Sequence, residues 1–266
     1  MNKPLIAKPG SVDLERDGQI ARVTINRPTV LNSMTMEMYE ALGDICARVS
    51  DGDEPDVRVV VFRGAGGRCF SSGTDIGVLA AFQTAEDGIA YEQQMDHFLG
   101  AIAAIPVPTV AVVDRLAVGG GLNIAAACDI RIASDDARFG TPMARTLGTC
   151  LSMRNYANLL SAFGVSRAKR MLMLAETIDA HEALACAFLT RIAPAEELDA
   201  VADEIVGTLL ASSPITQRVS KAAIARLGRA GHPDGDDLVA VAYGSEDFRG
   251  AVEAFFAKRK PVWNGK

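Results

Sequence analysis

The sequence predicts an α/β fold in which strands and helices alternate early and helices take over late. Strand-like segments at 19–25, 57–62, 109–113 and 129–133 are separated by helix-like segments, an order that points to parallel pairing within α/β layers. Beyond about residue 150 the pattern reads as helices alone. Composition agrees with a single large core: of 266 residues, 49% are hydrophobic and 23% charged, and length alone implies one to two domains. Aromatic residues make up only 6% beside 24 glycines, and alanine-rich runs lie at 101–104 and 125–127, which points to close backbone packing.

Each element has its own signal. QIARVTI at 19–25 alternates apolar and polar residues and runs into Asn26-Arg27-Pro28, a strand entering a turn. Met38, Leu42, Ile45 and Val49 recur every three or four residues, so 34–49 is an amphipathic helix. The β-branched run 57–62, with Arg58 inside it, is a buried strand that ends in Gly64-Ala65-Gly66-Gly67. A helix over 83–103 takes its apolar side from Ile89, Met95, Phe98, Leu99 and Ile102. Pro106-Val107-Pro108 feeds strand 109–113, which leads to Gly119-Gly120-Gly121 and an Ala-rich helix over 122–128. Further helices are expected at 154–163, 166–174, 180–187, 196–211, 214–227 and 245–260. Ser245 caps the last, Glu246 and Asp247 occupy its first turn, and Lys258-Arg259-Lys260 close it before Pro261. Its apolar residues Phe248, Val252, Phe255 and Phe256 serve either core packing or subunit contact.

Charge and cysteine usage bound the function. Acidic residues outnumber basic ones, 33 to 27, for a net charge of −6, which argues against nucleic acid or an anionic membrane as the main partner. A local basic patch could still hold a phosphate. The cysteines at 46, 69, 128, 150 and 186 are widely spaced with no C-x-x-C pair, which favours a reducing cytoplasm. The histidines at 97, 181 and 232 have no ligand spacing, so no metal site is expected. MNKPLIAKPG carries no apolar leader region, and the apolar stretch 102–113 is broken by Pro106 and Pro108, so a soluble protein is expected.

Two segments share one physical design. Strand 57–62 leads through its glycines to Ser71-Ser72-Gly73-Thr74-Asp75, and strand 109–113 leads to Val118-Gly119-Gly120-Gly121 at a helix mouth. Glycines let a ligand approach the backbone, and a helix mouth offers unpaired N–H groups with a partial positive charge. Two such mouths converging supply two donors to one developing oxyanion. Taken singly, each segment is a weak signal, since a glycine-rich turn before a helix is usually just a tight turn. A phosphate cradle does not fit: no Lys-Ser/Thr follows the glycines, and Gly119-Gly120-Gly121-Leu122-Asn123 is not a dinucleotide fingerprint.

Together these segments resemble the enoyl-CoA hydratase/isomerase (crotonase) superfamily along nearly the whole chain. The resemblance is carried by INRPTVLNSM at 25–34, VVVFRGAGGRCFSSGTDI at 59–76 and PTVAVVDRLAVGGGLNIAAACDIRIAS at 108–134, with ARFGTP at 137–142 and FFAKRKPVW at 255–263. It implies a crotonase-like spiral of ββα units over 1–195 and a C-terminal helical trimerisation region over 196–266, assembled as a homotrimer or a dimer of trimers. It also implies an acyl-CoA substrate, with no cofactor beyond the CoA moiety. By the resemblance, the N–H groups of Thr74 and Gly120 hold the thioester carbonyl oxygen. Val30, Leu31, Ser33, Ser72, Asp75 and Ile76 border the CoA moiety, and Gly119, Gly121 and Met143 complete its surroundings. Phe255 and Lys258 approach the adenosine end, from this or a neighbouring subunit; Lys258 reads equally as a surface lysine complementing a helix dipole.

The chain departs from the family at the acid–base positions. Family hydratases use two glutamates, one two positions after the GGG run and one directly after F-G-x-P; here these positions hold Asn123 and Met143. Neither transfers a proton. Three possibilities follow. Asp75, Arg145, Cys150 or His97 carries the proton, although Asp75 also reads as a helix cap, Cys150 as a small buried hydrophobe and His97 as a helix-surface residue. Alternatively the chemistry needs only enolate stabilisation, as in decarboxylation or C–C cleavage. In the third, Asn123 positions water or substrate. The expected function is therefore a hydratase/isomerase-type enzyme stabilising a thioester enolate. The alternatives are a decarboxylase, hydrolase or lyase of the same superfamily, or a silent acyl-CoA-binding subunit.

Overall fold

Unbroken apolar runs in this sequence become strands covered on both faces. The computed structural model describes residues 9–228 and 236–262. Expectations touching residues 1–8, His232 and Trp263 lie outside the described residues. The strands, in chain order, are β1 (Ser11–Asp17), β2 (Ile20–Asn26), β3 (Val59–Gly64), β4 (Thr109–Val113), β5 (Leu116–Val118), β6 (Ile130–Ser134), β7 (Arg138–Gly140), β8 (Thr177–Asp179) and β9 (Arg191–Ala193). A six-stranded sheet has the order β1-β2-β3-β4-β6-β9, and a three-stranded sheet the order β5-β7-β8. β1 and β2 form an antiparallel hairpin; from β2 onward the larger sheet is parallel, with Ile20 opposite Val59, Val60 opposite Thr109, Val110 opposite Ile130 and Ile132 opposite Arg191.

The helices are α1 (Met36–Asp51), α2 (Ile76–Leu79), α3 (Ala85–Ala104), α4 (Gly120–Ala127), α5 (Met153–Met173), α6 (Ala180–Ala185), α7 (Leu198–Ala211), α8 (Pro214–Gly228), α9 (Asp236–Tyr243) and α10 (Glu246–Phe256). Alternate residues of β3 and β4 supply two cores. Val60, Phe62, Ala111 and Val113 join the buried cluster that holds Met38 and Leu42 of α1 and Phe98 and Ile102 of α3. Val59, Val61, Val110 and Val112 face the other way, onto Leu198, Ala202 and Val206 of α7. Burial on both faces is why these strands lack polar alternation. Arg63, leaving β3, clamps the buried Asp114 with two bonds of 2.8 and 3.0 Å and also reaches Asp199 on α7.

Local signals set the helix ends. Thr35 Oγ1 accepts from Met38 N to start α1, and Thr84 and Asp87 form a reciprocal capping box at α3. The two helices expected at 154–163 and 166–174 run on from one another within α5, separated at Gly164, whose φ of +72° and ψ of 160° are not helical. Ser245 Oγ accepts from Phe248 N at the start of α10, where Phe248 and Val252 are buried and Phe255 and Phe256 are exposed.

Three expectations need correcting. Strands do not stop near residue 150: β8 pairs antiparallel with β7, and β9 extends the large sheet beside β6. Each has three residues, too short to show a period, and exists because its backbone groups pair with a strand already in place. The last helix ends at Phe256 rather than 260. Lys258 takes a left-handed φ of +52°, and Lys260 precedes Pro261, a position that disfavours helix. Lys258, Arg259 and Lys260 therefore do not form its last turn. Elements β1, β5, β7, α2 and α9 have no counterpart in the sequence reading.

Candidate active site

The candidate site forms where three stretches of backbone are stitched together beyond the ends of the parallel strands. The turn after β2 places Leu31 and Asn32 at φ values of 55° and 54°. Asparagine tolerates this conformation, and the fully buried Asn32 uses its whole side chain. Its Oδ1 accepts from Arg27 N at 2.9 Å, and its Nδ2 donates to Cys69 O at 2.7 Å and Ala65 O at 3.0 Å. This amide fastens the first glycine loop to the β2 turn. Ser71 continues the seam: its Oγ donates to Asn32 O at 2.8 Å, and its carbonyl accepts from Val118 N at 3.1 Å.

Gly73 then brings the two glycine segments into contact. Its φ is +94°, and a Cβ there would lie 3.0 Å from both Gly120 N and Val118 O, so only glycine fits without strain. Met34 N donates to Gly73 O and Asp75 N donates to Met34 O, each at 2.8 Å, a parallel bridge that turns the Thr74 N–H away from Met34. Among the described residues no backbone acceptor takes the Thr74 N–H. Gly120 is the first residue of α4, so its N–H has no partner within the helix and sits at the positive end of the helix dipole. A Cβ at Gly120 would run into the Tyr39 hydroxyl, and one at Gly121 into Ser71 O. The Thr74 hydroxyl is held between Tyr39 and Tyr91, whose hydroxyls lie 3.0 and 2.7 Å from Thr74 Oγ1. Burial pushes the Tyr39 hydroxyl up to about 12 and that of Tyr91 well above its ordinary range, so both stay neutral.

These groups open onto a cavity of about 230 Å³. Ser72, Thr74, Ile76, Gly119, Gly120, Asn123, Met143, Cys150 and Phe255, all expected at the site, line it. Other expected residues sit elsewhere. Val30, Leu31 and Ser33 do not line this cavity; Leu31 is exposed at its turn, Leu31 O accepts from Ser72 N at 3.0 Å, and Ser33 Oγ accepts from Arg27. Asp75 caps α2 by accepting from Gly77 N and forms an ion pair with Arg27; burial raises its carboxyl, but these two partners outweigh that and hold it below the usual range. Gly121 is buried against Ser71. Arg145 is exposed at the end of a short 3-10 turn, Lys258 is exposed beyond α10, and His97 is exposed on α3. Burial pushes the Cys150 thiol up to about 12, and the nearby Glu92 adds to this, so a thiolate is disfavoured at neutral pH.

The cavity also holds groups that sequence reasoning missed. Glu92 lies in it at 4% exposure; its Oε1 accepts from Tyr243 at 2.9 Å and its Oε2 from Ser152 N at 2.8 Å. Burial drives this carboxyl up to about 7; the bonds from Tyr243 and Ser152 pull it down, and the charge of Asp96 pushes it up. Gly88, one turn before Glu92 on α3, makes room for the Tyr243 ring, since a Cβ there would collide with it. Asn155, at 1% exposure, lines the same cavity with neither side-chain Oδ1 nor Nδ2 bonded. A signal for Glu92 was present. Gly88, Glu92, Met95, Leu99 and Ile102 repeat at steps of four and three on the buried stripe of α3, so the carboxyl falls where an apolar residue belongs.

Comparison with known proteins places this architecture. Residues 15–266 match the family described as enoyl-CoA hydratase/isomerase, and the chain belongs to it. A short-chain-enoyl-CoA hydratase of Clostridium acetobutylicum is 32% identical over 257 residues, covering 94% of this chain and 96% of its own. Among solved structures, an enoyl-CoA hydratase from Mycobacterium avium subsp. paratuberculosis superposes with a TM-score of 0.80 at 31% identity, covering 96% of this chain and 98% of that one. A methylmalonyl-CoA decarboxylase bound to 2-nitronate-propionyl-CoA superposes with a TM-score of 0.85 over 96% of this chain and 99% of that one; at 24% identity the likeness is one of fold. The protein thus has the crotonase-type α/β fold and is an enzyme of hydratase/isomerase type. Among the described residues no helix is long and apolar enough to cross a membrane.

Proposed function

We propose that this protein binds an acyl-CoA thioester and stabilises the enolate derived from it with the N–H groups of Thr74 and Gly120. The observation that carries this reading is the contact at Gly73. It brings two N–H groups from different segments, neither taken by the backbone, to the wall of one cavity. Donors fixed before charge develops need no reorganisation during the reaction, and each is worth about 3–4 kcal/mol in the transition state. The substrate class comes from the relatives, whose names specify enoyl-CoA thioesters. Two-glutamate hydration is not part of the proposal, because Asn123 and Met143 stand at the two positions where the resemblance expects carboxyls. Phe255 at the cavity wall, with Lys258 exposed just beyond it, suits the phosphate-bearing end of CoA. The reading carries a homotrimer or dimer of trimers with it, supported by the exposed Ile215, Val219, Ile224 and Leu227 of α8; light scattering reads that mass directly.

The test is hydrogen exchange. Incubation with saturated and unsaturated acyl-CoAs in D2O should label the carbon next to the thioester carbonyl, read by mass spectrometry, because every enolate chemistry passes through that carbon. Measured acyl-CoA binding with neither label nor turnover across the panel would make the protein a silent binder and end the proposal.

A further inference from the structure

We infer that Glu92 is the group that moves the proton in this site, in place of the carboxyls absent at positions 123 and 143. The inference rests on the enolate reading above and adds the residue that makes the enolate. Among the described residues lining the cavity, Glu92 is the one carboxyl, and none is a histidine, lysine or arginine. The remaining titratable groups there are Tyr39, Tyr91, Tyr243 and Cys150, all raised by burial and neutral at physiological pH. Glu92 is held from two directions, by Tyr243 at the end of α9 and by the backbone ahead of α5, so its carboxyl is fixed rather than free to turn to solvent. Asn155, with its amide buried and unbonded, lines the same cavity and equips it for a polar atom of the substrate.

The proton balance closes without a co-reactant. As carboxylate, Glu92 takes a proton from the carbon beside the thioester carbonyl. The C–H pair becomes the enolate double bond, and the carbonyl π pair moves onto the oxygen facing the Thr74 and Gly120 N–H groups. Returning the proton to the same carbon exchanges it; in a β,γ-unsaturated chain, returning it to the γ carbon moves the double bond to the α,β position. A base ionising near neutrality suits this task better than an ordinary carboxylate.

The groups facing Glu92 are Tyr91 and Asp96 from its own helix, Tyr39 from α1, Tyr243 from α9, Cys150 ahead of α5, and Tyr156 on α5. They contribute no positive charge, and two of them give the test its directions. Removing the Tyr243 hydroxyl raises the Glu92 carboxyl further, and removing the Asp96 charge lowers it. Exchange by the wild type should therefore rise with pH to a midpoint near 7. Tyr243→Phe should move that midpoint up and Asp96→Asn should move it down. Glu92→Gln should cut exchange by about 100-fold or more while acyl-CoA binding persists. If Glu92→Gln does not fold, the opposite shifts of the other two variants decide. Wild-type exchange retained in a folded Glu92→Gln, or midpoints unmoved in both Tyr243→Phe and Asp96→Asn, overturns the inference and leaves the enolate reading standing. Absence of exchange in the wild type itself overturns both.

Discussion

Replacing Glu92 by glutamine should change how the stability of the fold depends on pH. In the folded chain burial holds this carboxyl at about 7, against its usual 4.5. At about 1.4 kcal/mol per pH unit, that difference amounts to about 3 kcal/mol, and at 4% exposure little of it is screened by solvent. The folded value lies above the unfolded one, so the native state binds this proton more tightly. The stabilisation is therefore fully present below pH 4.5 and lost as pH rises through about 7. Other carboxyls, such as Asp75, are shifted down and act in more acidic solution, so the comparison with the variant isolates Glu92. Urea midpoints for wild type and Glu92→Gln, taken at intervals from about pH 5 to pH 8, are the assay. Over that range the wild type should lose about 2–3 kcal/mol relative to the variant. Parallel curves would show that the carboxyl is already ionised or hydrated in the native state, and the argument from its burial would fail.

Two further substitutions probe the backbone of the site. Gly120→Ala drives a Cβ into the Tyr39 hydroxyl and should lower exchange by about 100-fold or more through loss of an oxyanion donor. Adding Tyr39→Phe removes the obstructing oxygen and should recover most of that loss; a double variant as inactive as Gly120→Ala would mean the crowding lies elsewhere. Asn32→Ala strands Arg27 N and two loop carbonyls and should cost about 2–3 kcal/mol in urea unfolding, with exchange falling as the Ser71–Thr74 seam loosens. A change under about 0.5 kcal/mol would show that water replaces the amide.

The parts that could be read from sequence are those where one local rule decides. The runs around Val59–Phe62 and Val110–Val113 are apolar at every position because both strand faces are covered, and Met38, Leu42, Ile45 and Val49 mark the buried side of α1. The two glycine segments could also be recognised, since close approach of backbone demands glycine wherever it occurs. The short strands β5, β7, β8 and β9 could not, because three residues carry no period and each exists through its neighbour. Glu92 was missed because a glutamate in a helix is ordinarily a surface residue, and what buries it is remote in sequence: Tyr243 lies about 150 positions away. Arg145 stands out in the sequence by charge and adjacency alone, and the short turn that carries it leaves it exposed and outside the cavity lining.

The two parts of the proposed machinery differ in how they respond to mutation. At Thr74 the donor is main chain, which every residue but proline possesses, so almost any change there keeps the N–H. Its placement depends on a few glycines that tolerate almost no replacement. The proton-handling end is made of side chains, each of which a single codon change can add or delete. On the proposed reading, a side-chain change at the proton-handling groups alters the reaction while the main-chain grip on the thioester stays in place. Asn123, Met143 and Glu92 line one cavity, so a carboxyl carried by any of these three positions borders the same space.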